Sequence, residues 1–82
     1  MIPQDENDYI PNEVVELMVK KRYNTVKAWR IYLGLTQKDV ADKAGITQAA
    51  FSQMEKTENE LRSGTLEKLA FAMGLDVGLL QD

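Results

Sequence analysis

Apolar residues recur along this chain every three or four positions and never in strict alternation, so helices are expected and strands are not. The first stripe lies in EVVELMVKKR, residues 13–22, where Val14, Val15, Leu17, Met18 and Val19 gather behind an expected cap at Asn12. YNT interrupts it. Asn24 or Thr25 then caps VKAWRIYLG, in which Val26, Trp29, Ile31 or Tyr32, and Leu33 repeat at helical spacing before Gly34 closes the helix in a left-handed conformation. Thr36 opens QKDVADKA, with Asp39 placed for a capping box, and Gly45 ends it. Thr47 caps a helix over 48–56, whose inward side is Ala50, Phe51 and Met54 together with Ile46. ENELRSG reads as a polar loop, TLEKLAFAM as a helix stopped by Gly74, and DVGLL as a short last helix capped by Asp76.

This pattern divides the chain into an acidic, flexible arm over 1–11, an N-terminal helix within 12–23, and one compact all-α unit over 24–82. Trp29, Tyr32, Leu33, Val40, Ala44, Leu66, Leu69, Ala70 and Met73 are the expected core. Leu75, Val77, Leu79 and Leu80 exceed what a short tail needs. They are expected to seal the base of the core, to pair two chains about a two-fold axis, or both. Within the unit, Ala41 leaves room for a close helix crossing, Gly45 supplies a turn with positive φ, and Ile46, Phe51 and Met54 give the second helix its core side. Two helices joined in this way form a helix-turn-helix, whose second helix can enter a DNA major groove.

The outer face of that second helix is unusual: from Thr47 to Met54 it carries no charge. At ~100° per residue, Gln48, Ala49, Ser52, Gln53 and Lys56 share one arc. Glutamine can pair with adenine N6 and N7, alanine can touch a thymine methyl, and serine can donate or accept. Such a face suits the reading of base edges, although glutamine and alanine are also simply good helix formers.

Composition narrows the chemistry further. The chain has 82 residues, no Cys and no His, which removes disulfide scaffolds, thiol nucleophiles, the usual zinc sites and imidazole catalysis. No metal or cofactor is expected. A reducing, cytoplasmic setting fits, no stretch is long enough to span a bilayer, and the polar acidic start is unlike a signal peptide. The net charge of −3 opposes a nucleic-acid partner at first sight. Much of the acid lies early, in Asp5, Glu6, Asp8, Glu13 and Glu16, so basic groups remain free to gather on one face. An enzyme is the weakest class: Glu58 and Glu60 share a loop without a pocket to perturb them, and there is no phosphate-cradling glycine loop.

WRIYLGLTQKDVADKAGITQAAFSQMEKTE, continued by TLEKLAFAMGLDVGLL, resembles the Cro and phage-repressor helix-turn-helix family, often called the xenobiotic-response-element class, over about residues 25–80. The resemblance implies a five-helix, lambda-repressor-like domain with 37–44 and 48–56 as its second and third helices, here with an extra N-terminal helix. It implies base reading by Gln48, Ala49, Ser52 and Gln53. Phosphate contacts are expected from Thr36, Gln37, Lys38, Thr47, Lys56 and Arg62, with Lys43 a further candidate. Gln37 sits at a helix start that favours phosphate, and in the resembled family this glutamine also braces the first glutamine of the reading helix, here Gln48. Arg30 and Glu55 match a family ion pair between the first and third helices. The loop KTENELRSG departs from the commoner NGKRxP form by carrying Glu58 and Glu60, which weakens the expected loop contacts.

The functional expectation is a dimeric repressor on a palindromic double-stranded operator, in a bacterial or phage setting on the nucleoid. The rival is an antitoxin. IPNEVVELMVKKRYNTVKAWRIYLGLTQ also looks like the segment leading into the DNA-binding unit of some bacterial antitoxins, which neutralise a partner toxin and repress their own operon. On that reading the arm and the 12–22 helix cover a basic toxin surface; otherwise the helix packs on the domain or helps it dimerise.

Overall fold

A computed structural model describes residues 10–81. Its elements are α1 (Asn12–Lys20), α2 (Thr25–Leu33), α3 (Gln37–Ala44), α4 (Gln48–Lys56), α5 (Ser63–Met73) and a single 3-10 turn over Val77–Leu79. There is no strand among the described residues. The short last helix expected from DVGLL is this 3-10 turn. Asp76 caps it, its Oδ1 accepting from the Gly78 N–H at 2.9 Å. Residues 1–9 of the expected arm lie outside the described residues.

Helix ends follow local chemistry. Asn24, Thr36 and Thr47 each accept a backbone N–H three residues on, at 3.0 Å. Gly34, Gly45 and Gly74 close α2, α3 and α5 at φ 73°, 74° and 71°, where a Cβ would be strained. The expected cap at Asn12 is corrected. Pro11 occupies the cap position without a side-chain bond, and Asn12 is already helical. Proline's fixed φ brings the chain into the helix without a hydroxyl or amide to hold it. The loop before α5 is also shorter than expected, since the helix begins at Ser63.

The core is Val14, Val26, Ala28, Trp29, Val40, Ala41, Phe51, Leu69, Ala70, Ala72, Met73 and Leu80, so every helix contributes. Tyr32 and Leu33 are corrections: they are 42% and 37% exposed, and Ala28 is fully buried in their place. α1, α4 and α5 all pack on α2 and bury Ala28 as well as Val26 and Trp29, whereas Leu33, in phase with Val26 and Trp29, lies in the last turn and stays partly exposed. Tyr32 instead sets its ring edge-on to Trp29, with centroids 5.8 Å apart. The stripe of α1 is likewise narrower than its sequence implies, with Val14 buried but Val15 and Val19 exposed. Leu75, Val77 and Leu79 pack half-buried against the core and Leu80 is buried, so these residues seal its base. The indole N–H of Trp29 donates to the Leu79 carbonyl at 3.3 Å, fixing the end of the chain on α2.

Candidate functional site

α3 and α4 meet through Gly45, Ile46 and Thr47. The Ile46 N–H returns to the Ala41 carbonyl at 3.0 Å, and Ala41 is buried where the helices approach. Phe51, fully buried, roots α4 in the core. With that side fixed, Gln48, Ala49, Gln53 and Lys56 are exposed and Ser52 is half-exposed. These side chains form one uncharged strip that ends in a lysine.

Two sets of side-chain bonds anchor the helix that carries the strip. At its C-terminal end, the Asn24 amide donates to the Met54 carbonyl at 2.8 Å and to the Thr57 carbonyl at 3.3 Å, while its Oδ1 caps α2. Carbonyls at a helix end have no partner within the helix, so this one side chain satisfies two elements. From sequence, Asn24 stands out only as a cap; a reach of thirty residues leaves no local signal. Asn24→Asp keeps the α2 cap but sets a carboxylate against two carbonyls. It is expected to cost roughly 1–3 kcal/mol, measured by urea denaturation, and an unchanged midpoint would count against the anchor.

The second anchor is buried charge. Glu55 is 5% exposed and lies beneath the strip on α4. Arg30 grips it with two donors, Nε to Oε2 and Nη2 to Oε1, the latter at 3.2 Å, while Arg30 Nη1 reaches the Leu35 carbonyl at 2.9 Å. Gln37 donates from Nε2 to Glu55 Oε1 at 2.8 Å, and Gln37 Oε1 accepts from Gln48 Nε2 at 3.5 Å, a long contact. Sequence reasoning paired Arg30 with Glu55 and Gln37 with Gln48, but missed the bond that joins the two pairs.

The proposed phosphate-binding groups are spread around the strip. Thr36 and Gln37 stand at the start of α3, where the N–H groups of Gln37 and Lys38 have no helical acceptor. Thr47 caps α4, with Lys56 at its far end and Arg62 exposed at the start of α5. Lys38 is not free: its Nζ lies 2.8 Å from Asp42, which raises its pKa through that hydrogen bond and charge. A phosphate at this position would have to compete with Asp42.

Asp39 completes the Thr36 capping box, accepting from the Thr36 N–H at 3.2 Å. Hydrogen bonds from the Thr36 side chain and backbone lower the Asp39 pKa from its ordinary 3.8. A depressed carboxylate adds stability above its unfolded pKa, and that stability is lost as the pH falls through the folded value. The native chain is therefore expected to lose stability below about pH 4 more steeply than Asp39→Asn does. Acid titration followed by circular dichroism measures this, and parallel curves would refute the box's contribution.

Glu58 and Glu60 also require a correction, because the loop does form part of a pocket. They line an open groove of about 680 Å³ with Arg22, Asn24, Lys56, Leu61 and Leu80. Both carboxylates are exposed. No group of three or more His, Cys, Asp or Glu residues is placed to hold a metal among the described residues. No described helix is long and apolar enough to cross a membrane.

A family model described as "Helix-turn-helix" matches residues 26–80, more than half of the chain. No solved structure matches it.

Proposed function

The chain belongs to the helix-turn-helix family of Cro and phage-repressor type, a family of DNA-binding domains rather than of enzymes, and on that premise we propose a sequence-specific repressor. Gln48, Ala49, Ser52 and Gln53 read base edges in the major groove. Thr36, Gln37, Thr47, Lys56 and Arg62 hold phosphates, and Lys38 joins them when Asp42 releases it. One such helix covers only a few base pairs, so a pair of chains on a palindrome supplies the remaining affinity, and the bound dimer blocks transcription. The exposed, uncharged strip on α4 carries this reading. Selection of binding sites from random duplexes, followed by titration across salt concentration, tests it; the absence of any saturable, salt-sensitive preference refutes it.

A second reading, neutralisation of a toxin protein, is favoured by one observation. α1 leaves Val15 and Val19 exposed, Val19 to 70%, beyond what its packing on the domain requires. On this reading Val19→Glu leaves the melting temperature and operator affinity unchanged and abolishes co-purification of a toxin encoded beside it. Retained co-purification with that variant would remove α1 from the toxin interface.

A further inference from the structure

Glu55 does more than close an ion pair. Its three partners, Arg30 Nε, Arg30 Nη2 and Gln37 Nε2, are all N–H donors. A carboxylate held by a guanidinium offers only acceptors, so Gln37 must turn its NH₂ inward and its carbonyl outward. The reverse orientation would set the Gln37 oxygen against Oε1 of Glu55. The outward carbonyl then meets Gln48, which presents its own NH₂ at 3.5 Å.

We propose that Glu55, acting through Gln37, fixes the direction of the Gln48 amide and thereby decides which strand carries adenine at the base pair that Gln48 reads. The proposal rests on Gln48 being a base reader, as argued above. Glutamine recognises adenine by accepting from N6 and donating to N7. An amide free to turn over presents donor and acceptor in either order, and so tolerates A·T and its reverse, T·A. Once Gln37 engages one N–H, the remaining N–H and Oε1 of Gln48 face the groove in one order only. Glu55 is thus a positioning residue, and a buried carboxylate that never touches DNA contributes to specificity.

The experiment uses the whole chain on two duplexes: an operator obtained by selection, and the same operator with the pair facing Gln48 reversed. The native chain is expected to prefer one orientation by about tenfold. Gln37→Met should reduce that ratio to about twofold, because nothing then pins the amide. Glu55→Gln can donate to Gln37 Oε1 and turn the relay over, so its preference should vanish or invert. If that variant does not fold, Gln37→Met, altered at a partly exposed helix start, carries the test. An equal loss of affinity on both duplexes in Gln37→Met overturns the relay but leaves base reading intact. A native chain that selects no operator overturns both. The free protein gives a separate readout: the Gln37 side-chain amide signals should be displaced from solvent-like positions in nitrogen-15 spectra and move in Glu55→Gln. Solvent-like Gln37 signals in the native chain would also overturn the relay.

Discussion

Arg30→Met should destabilise the domain by roughly 3–5 kcal/mol, because it strands a buried carboxylate without its cation. In a domain of this size each kcal/mol shifts the melting temperature by about 4–8 °C, so the transition should fall by at least about 12 °C. Lys38→Met provides the comparison. Its ion pair with Asp42, at 2.8 Å, is likewise within hydrogen-bonding distance, yet both side chains are largely in water, where two long side chains gain little from pairing. That variant should melt with the native protein. The difference between the two lies in burial rather than distance: Glu55 has no water to turn to when Arg30 is removed, and the Gln37 amide alone cannot balance the charge. Thermal unfolding followed by circular dichroism decides the matter. Equal melting temperatures for the two variants would mean that the Arg30–Glu55 pair contributes no more than a surface ion pair.

Replacing Gln48 and Gln53 together by alanine should sharply reduce operator selectivity while the fold persists. Both side chains are exposed, and alanine is a better helix former than glutamine, so α4 should form at least as readily. A well-formed amide–adenine pair discriminates by about 1–3 kcal/mol, so removing two should cost at least about thirtyfold in preference for the operator. Affinity for unrelated duplex should barely change, since neither amide carries charge. Lys56→Ala and Arg62→Ala should act in the opposite sense. They should weaken binding to all duplexes alike, and each should lower the slope of log affinity against log salt by about one per phosphate that is no longer neutralised. The two classes of variant therefore separate base reading from backbone holding in a single set of titrations.

The helix framework was legible in the sequence because its boundaries are local. Asn24, Thr36 and Thr47 cap within three residues, and three glycines close helices where a left-handed residue is needed. Tyr32 and Leu33 were misread because periodicity shows that a helix has an apolar side, but not how far round or along it the neighbours reach. Ala28 was missed for the complementary reason: a methyl group is a weak hydrophobic signal, yet it is what a close helix approach admits. At the candidate site, the uncharged strip from Gln48 to Gln53 can be read from composition and phase alone. The Asn24 anchor and the Gln37–Glu55 bond cannot, because they join residues 30 and 18 positions apart and depend on donor geometry that only the packed helices create.

The most direct measurement is the ratio of affinities for a selected operator and an unrelated duplex, taken across salt concentration for the native chain and the Gln48→Ala, Gln53→Ala variant. If α4 reads base edges, the native ratio should be about a thousand or more at physiological salt and should fall at least about thirtyfold in the variant, with parallel salt slopes. A native ratio near one, or a large ratio that survives removal of both glutamines, would contradict the assignment of this strip to sequence recognition.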